Sequence, residues 1–126
     1  SVIAVALGDD GAGGDAARQR LRGEELIAPE LVDLEVLSVL RRCRQRGTLD
    51  GRRAELAIVD LQEIPIRRMT HSTLLLRCWE LRDNLTPYDA AYVALAEAIG
   101  APLLTGDRRL SNAPGLRCVV EVLHTS

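Results

Sequence analysis

At 126 residues the chain has the size of one domain, able to bury roughly two-thirds of the surface it exposes when unfolded. Apolar residues make up 47% but aromatics only 2%, with no Phe, so the core has to be built from Leu, Val, Ile and Ala, which favours helices around a small sheet. A net charge of −2 and a pI near 5.7 exclude global attraction to nucleic acid and leave that work to local patches.

All 16 basic residues are Arg; Arg forks onto phosphate or carboxylate, and genome composition bias explains the same usage. Cys43, Cys78 and Cys118 are far apart, odd in number and without a C-x-x-C spacing, so reduced thiols and a cytoplasmic location are expected. His71 and His124 stand alone and give little support to a His-based zinc site. No apolar run approaches a membrane span, and no secretory signal is recognisable.

Residues 1–7 are apolar and read equally as a strand or a buried helix. Residues 8–14, rich in Gly and Asp, read as a flexible turn, and Asp15 as the cap of a short helix over 16–22 that ends at Gly23. A brief strand over 26–28 leads into Pro29. The longest helical pattern runs over 29–46 to Gly47; Leu31, Val32, Leu34, Val36, Leu37, Val39 and Leu40 predict a helix buried on two sides. Thr48 or Asp50 starts the next helix, over 51–62, with Leu56, Ile58, Val59 and Leu61 inward. The strand over 64–67 carries Pro65, which places it at a sheet edge. Ser72 is expected to cap a helix over 73–84 that contains Trp79.

The next unit is the most informative. Thr86 is a good N-cap, Pro87 fits the first helical position, and Asp89 falls where a carboxylate meets free backbone N–H groups. An Ala-rich helix follows and stops at Gly100. Residues 103–105 read as a buried strand, and Gly106-Asp107 leave its carboxyl end. A helix of about 13 residues climbs roughly 20 Å, and a strand of about five returns roughly 17 Å, so Asp89 and Asp107 share one rim. A turn over 108–111, a loop over 112–115 and a last strand over 118–122 complete the chain. Short strands alternating with helices predict a parallel sheet flanked by helices.

Glu35 projects from a largely apolar side of the long helix, close to the same rim, with Asp33 nearly opposite. Burying a lone carboxylate costs several kcal/mol unless something pairs it. Like charges so gathered are usually resolved by a hard divalent cation with oxygen ligands. Each acid also has an ordinary reading: Asp89 as a capping carboxylate, Asp107 as a turn residue, Glu35 as a partner for Arg42. Tyr88 and Tyr92 read as packing before base stacking, and Trp79 as core or interface. Arg41, Arg42, Arg44 and Arg46 suit a solvated helix C-terminus and could equally meet phosphate.

Residues 29–36 (Pro-Glu-Leu-Val-Asp-Leu-Glu-Val), 79–96 (from Trp-Glu-Leu-Arg-Asp through Thr-Pro-Tyr-Asp-Ala-Ala) and 103–110 (Leu-Leu-Thr-Gly-Asp-Arg-Arg-Leu), in this order and spacing, resemble the PIN-domain ribonucleases. The likeness covers nearly the whole chain and is greatest to the VapC toxins of bacterial VapBC toxin–antitoxin pairs. The resemblance implies a single PIN domain over 1–126, an α/β/α sandwich with a small parallel sheet. It implies Mg²⁺- or Mn²⁺-dependent hydrolysis of RNA, a VapB-type antitoxin as partner, and a homodimer.

By motif, Glu35, Asp89 and Asp107 match the second, third and fourth acids of the family's four, with Thr86, Thr105 and Ser1 as candidates for orienting them. The first acid closes the first strand in a pattern like Val-Asp-x-Ser, and Ser1 matches that Ser, so the first strand and its Asp are expected upstream of Ser1. A non-catalytic PIN-like module that binds RNA or a protein is the rival reading. A different metal phosphohydrolase on a similar scaffold is the other; a phosphatase would need an Asp-x-Asp strand end, and none is visible.

Overall fold

A computed structural model describes residues 1–7 and 19–123. The predicted turn over 8–14, the Asp15 cap and residues 16–18 of the helix predicted over 16–22 lie outside the described residues; 19–21 are helical, and Gly23 has a positive φ of 78°. The two readings of the first residues resolve to a strand, β1 (Val2–Ala6). It pairs in parallel with β2 (Glu25–Pro29) on one side and β4 (Leu103–Thr105) on the other. With β3 (Ile66–Met69) beside β2 and β5 (Val120–Val122) beside β4, the sheet is wholly parallel in the order β3-β2-β1-β4-β5. Parallel strands need crossovers and cover on both faces. The short, almost uniformly apolar β1 and β4 satisfy that: Ile3, Ala4, Val5, Leu103 and Leu104 are all buried.

The helix α4 (Pro87–Ile99) forms where the sequence places it. Thr86 accepts the Asp89 backbone N–H at 3.2 Å through Oγ1. Gly100, at φ 67°, adopts the left-handed conformation that ends the helix at no steric cost. Every residue from Ala90 to Ala96 is buried. Its alanines let the helix lie close over β1, β2 and β4 while α3 (Leu75–Glu80) packs on its other side. Between α3 and α4, Arg77 donates to both Glu97 oxygens, at 2.7 and 3.1 Å, and to the Gly115 carbonyl at 2.8 Å. Glu97 also accepts the Arg117 backbone N–H at 2.7 Å.

Burial alone would raise the Glu97 carboxyl; the Arg77 hydrogen bonds, helped by the Arg117 N–H, outweigh it and hold it below its ordinary value of 4.5. A folded-state value depressed in this way contributes stability above the unfolded value and loses it as pH falls through the folded one. Glu97→Gln is therefore expected to cost about 2 kcal/mol at neutral pH, the scale of hydrogen bonds to a charged group, and progressively less in acid. Urea unfolding at pH 7 and pH 3 checks it: equal losses at both would remove the charge from the explanation.

Five expectations are corrected. The long helix, α1 (Val32–Gln45), starts three residues late, because Pro29 stays in β2 opposite Met69 and the Glu30 N–H donates to the Met69 carbonyl at 2.9 Å. Nor is it buried on two sides: Val32 alone is fully buried and Leu34 is 69% exposed. In α2 (Gly51–Glu63), capped by Asp50, Leu61 is buried but Leu56 and Val59 face out. The cause is shared, since α1 and α2 pack chiefly on each other as an antiparallel arm beside the sheet. Ser72 begins a 3-10 turn (Ser72–Leu74) rather than capping a long helix, and α3 is only six residues long. Residues after Asp107 form a short helix, α5 (Arg108–Asn112), instead of a turn. The proline-flanked β3 does lie at a sheet edge.

The carboxyl rim as candidate functional site

Because all the pairings are parallel, the strands' carboxyl ends share one rim, the edge where open α/β sheets bind ligands. Three acids reach it by different routes. Glu35 stands half-buried in the first turn of α1, just after β2 ends. Asp89, also half-buried, stands in the first turn of α4, which runs back along the sheet and so starts at the rim toward which β4 ends. Asp107 follows β4 directly and caps α5.

Thr105 is 1% exposed. Its Oγ1 accepts the Asp107 N–H at 3.1 Å, which fixes the turn that carries the acid. Thr86 likewise orders the chain at Asp89 through the cap. Ser1 does not join them: it precedes β1, with its carbonyl accepting the Glu25 N–H at 2.8 Å, and so lies at the amino rim, roughly 17 Å away along a five-residue strand.

Two arginines that the sequence reading left out shape the electrostatics. Arg68 on β3 donates to both Asp33 oxygens, at 2.7 and 2.8 Å, and to the Leu61 carbonyl at 3.4 Å, pinning the base of the α1–α2 arm. That pairing gives Asp33 a structural partner away from the other acids. Arg109 donates to Asp107 Oδ1 at 3.1 Å and Oδ2 at 2.9 Å, while its backbone N–H reaches Oδ1 at 2.9 Å. These bonds hold the Asp107 carboxyl below its ordinary 3.8, overcoming the opposite push of burial. The only signal in the sequence was Arg two places after a helix-capping Asp. It is weak, because neighbouring charges at a helix start usually point to solvent.

Arg109→Gln is expected to let the Asp107 carboxyl titrate closer to 3.8 in an NMR pH series. An unmoved midpoint would show that the N-cap bond alone sets it. Stability should change little at any pH, because the Arg109 side chain is 89% exposed against 18% for Asp107 and water screens such pairs. What it does contribute is present above the unfolded value and lost as pH falls through the depressed folded one.

Oxygen donors of this kind suit a hard divalent cation. Their present spacing does not fit one: among the described residues no group of three or more His, Cys, Asp and Glu side chains could hold a metal ion. Asp107 has Arg109 against it instead. The rim therefore gathers acids along one edge without closing them into a cage.

Comparison with known proteins gives this arrangement its context. The PIN domain family matches residues 1–116. Ribonuclease VapC9 of Mycobacterium tuberculosis is 42% identical over 126 residues, covering 98% of this chain and 94% of the relative. Ribonuclease VapC1 of the same species is 40% identical over 124 residues, with 98% and 93% covered. Among solved structures, VapBC2 from Rickettsia felis, bound to a DNA fragment from its promoter, matches with a TM-score of 0.69 at 11% identity, over 98% of this chain and 100% of that one. PAE2754 from Pyrobaculum aerophilum matches with a TM-score of 0.59 at 22% identity, covering 89% and 86%. At such identities the structures speak for the fold alone.

Proposed function

This chain belongs to the PIN-domain family, and from that premise we propose that it is the ribonuclease toxin of a VapBC-type toxin–antitoxin pair, an endonuclease that hydrolyses RNA at the carboxyl rim. The observation that carries the reading is the arrival of Glu35, Asp89 and Asp107 at one rim of a parallel sheet, in a chain 42% identical to a VapC ribonuclease. The proposed cofactor is Mg²⁺ or Mn²⁺, since acids by themselves repel a phosphodiester. Glu35, Asp89 and Asp107 are its proposed ligands on the strength of their motif match, not of their present spacing. Thr86 and Thr105 are the positioning residues, through the backbone hydrogen bonds already described.

A VapB-type antitoxin and a second copy of the chain are the proposed partners. Two features support this: of the similar solved structures, one is described as a toxin–antitoxin complex from Klebsiella pneumoniae and another as VapBC2, and Leu34, Leu56, Leu75, Leu76 and Trp79 are exposed on α1, α2 and α3. Apolar side chains gathered at a surface commonly mark an interface.

The purified protein should cut single-stranded RNA internally with Mg²⁺ or Mn²⁺ and stop in EDTA. Undiminished cleavage in EDTA would remove the cation from the proposal. RNA binding without cleavage under any condition would favour the non-catalytic module. Sedimentation as a monomer at tens of micromolar, together with no capture of the product of the adjacent small gene, would remove the partners.

A further inference from the structure

The tip of the α1–α2 arm carries a concentration of charge that the carboxyl rim does not explain. Residues 41–53 contain six arginines, Arg41, Arg42, Arg44, Arg46, Arg52 and Arg53, against one acid, Asp50, in a chain of net charge −2. Asp50 is engaged in capping α2, accepting the Arg53 N–H at 2.8 Å. Four arginines elsewhere are paired: Arg20 with Glu121, Arg68 with Asp33, Arg77 with Glu97, Arg109 with Asp107. At the tip, Arg44 donates to the Leu49 carbonyl at 3.0 Å and braces the turn. The side chains of Arg41, Arg42, Arg46, Arg52 and Arg53, all exposed, have no ion-pair or hydrogen-bond partner among the described residues.

The local electrostatics are unfavourable to the protein alone. Arg42 and Arg44 suit the last turn of α1, where carbonyls carry partial negative charge. Arg52 and Arg53 stand in the first turn of α2, which holds no acid. There the backbone N–H groups already carry partial positive charge, so a cation is disfavoured. The two sets stand on either side of a short turn, tied by Gly47 at φ 75° and by the Thr48 Oγ1 bond to the Cys43 carbonyl at 3.1 Å. The result is a cationic surface on an ordered turn, and a polyanion relieves its repulsion.

We propose that the tip of the α1–α2 arm is a docking surface for the phosphate backbone of the RNA substrate, holding the strand while a neighbouring segment lies at the carboxyl rim. The proposal rests on the ribonuclease reading and adds to it a place where RNA is gripped away from the acids. Arg42 to Arg46 lie 7 to 11 residues beyond Glu35 on the same helix, roughly 10–16 Å along its axis, within reach of one continuous strand. Arg fits the task because its guanidinium forks onto phosphate oxygens and keeps its charge.

The test is the salt dependence of binding to a fluorescent single-stranded RNA, in EDTA so that nothing is cut. Each phosphate contact contributes about 0.7 to the slope of log affinity against log salt for single strands. Arg42→Gln/Arg53→Gln, and separately Arg41→Gln/Arg52→Gln, should each lower the slope by about 1.4, with far-UV circular dichroism unchanged. Arg22→Gln/Arg67→Gln, which removes the same charge from exposed positions elsewhere, should leave it as in the unaltered protein. With Mg²⁺ or Mn²⁺ present, the arm variants should raise KM several-fold at nearly constant kcat. An unchanged slope in both arm variants, or an equal fall in the Arg22/Arg67 variant, overturns the proposal and leaves the ribonuclease reading standing. Failure of the unaltered protein to bind RNA at all overturns both.

Discussion

Asp89→Asn is expected to lower divalent-dependent RNA cleavage at least about a hundredfold, the scale on which removing one preorganised electrostatic group at a reaction centre is felt, while leaving the fold in place. The contrast between activity and stability is the informative part. Thr86 caps the helix through the backbone N–H of residue 89, at 3.2 Å, a bond that Asn keeps. Asn also replaces a negative charge in the first turn, which favours a helix by about 0.3–1 kcal/mol. Relief of repulsion among acids gathered at one rim acts in the opposite direction. Thermal melting should therefore move by only a few degrees. Cleavage at the unaltered rate would end the assignment of Asp89 to the site, and a collapse of the melting transition would make it a structural cap.

Leu103→Ala should cost about 2–5 kcal/mol, the range for truncating a buried leucine, whereas Leu34→Ala should stay within about 0.5 kcal/mol of the unaltered protein. Leu103 is 0% exposed in β4, between β1 and β5; Leu34 projects from the arm. Chemical unfolding of the two variants side by side checks the corrected account of α1. A large loss at Leu34 would mean that its face is covered in solution, most simply by the second copy or the antitoxin proposed above. Repeating the measurement across protein concentrations separates that outcome from a packing role within one chain.

These two leucines also show where sequence reasoning reaches and where it stops. The unit from Thr86 to Thr105 was legible because its boundaries are local chemistry: a Thr cap, a Pro that needs no N–H, and a Gly able to take positive φ. The apolar run of β4 was legible because a strand buried on both faces has no polar alternation to confuse it. β3 does lie at the sheet edge, although it starts two residues later than the expected 64–67, so that Pro65 stands just before the strand and not within it. Burial of α1 was not legible. Its apolar residues look like two buried faces, but how many faces are covered is decided by which elements pack there, and α1 meets chiefly α2.

Short elements failed for another reason. At five and six residues, α5 and α3 are too brief for periodicity to speak. At the rim, the motif spacing brought Glu35, Asp89 and Asp107 to one edge. It carried no warning that Arg109 would sit on Asp107, a contact made by a flexible side chain two residues away. Thr105, an orienting group by motif, bonds to the Asp107 backbone, whereas Ser1, a candidate by the same motif, stands at the other end of the sheet.

The strand order carries a consequence for synthesis. The central strand lies early in the chain, yet one of its two neighbours is β4, with Ala4 opposite Leu103. Translation at roughly 5–20 residues per second leaves about 5–20 s between the appearance of the two strands at the ribosome. During that interval β1 has one unsatisfied edge, and Asp107 has not yet been made. Pairings this distant also fold slowly once available, since a large loop must close before any contact rewards it. An emerging chain of this topology thus cannot complete its sheet, or bring Asp107 to the rim, until β4 has been made. A binding partner present during those seconds meets the protein before its carboxyl rim is complete.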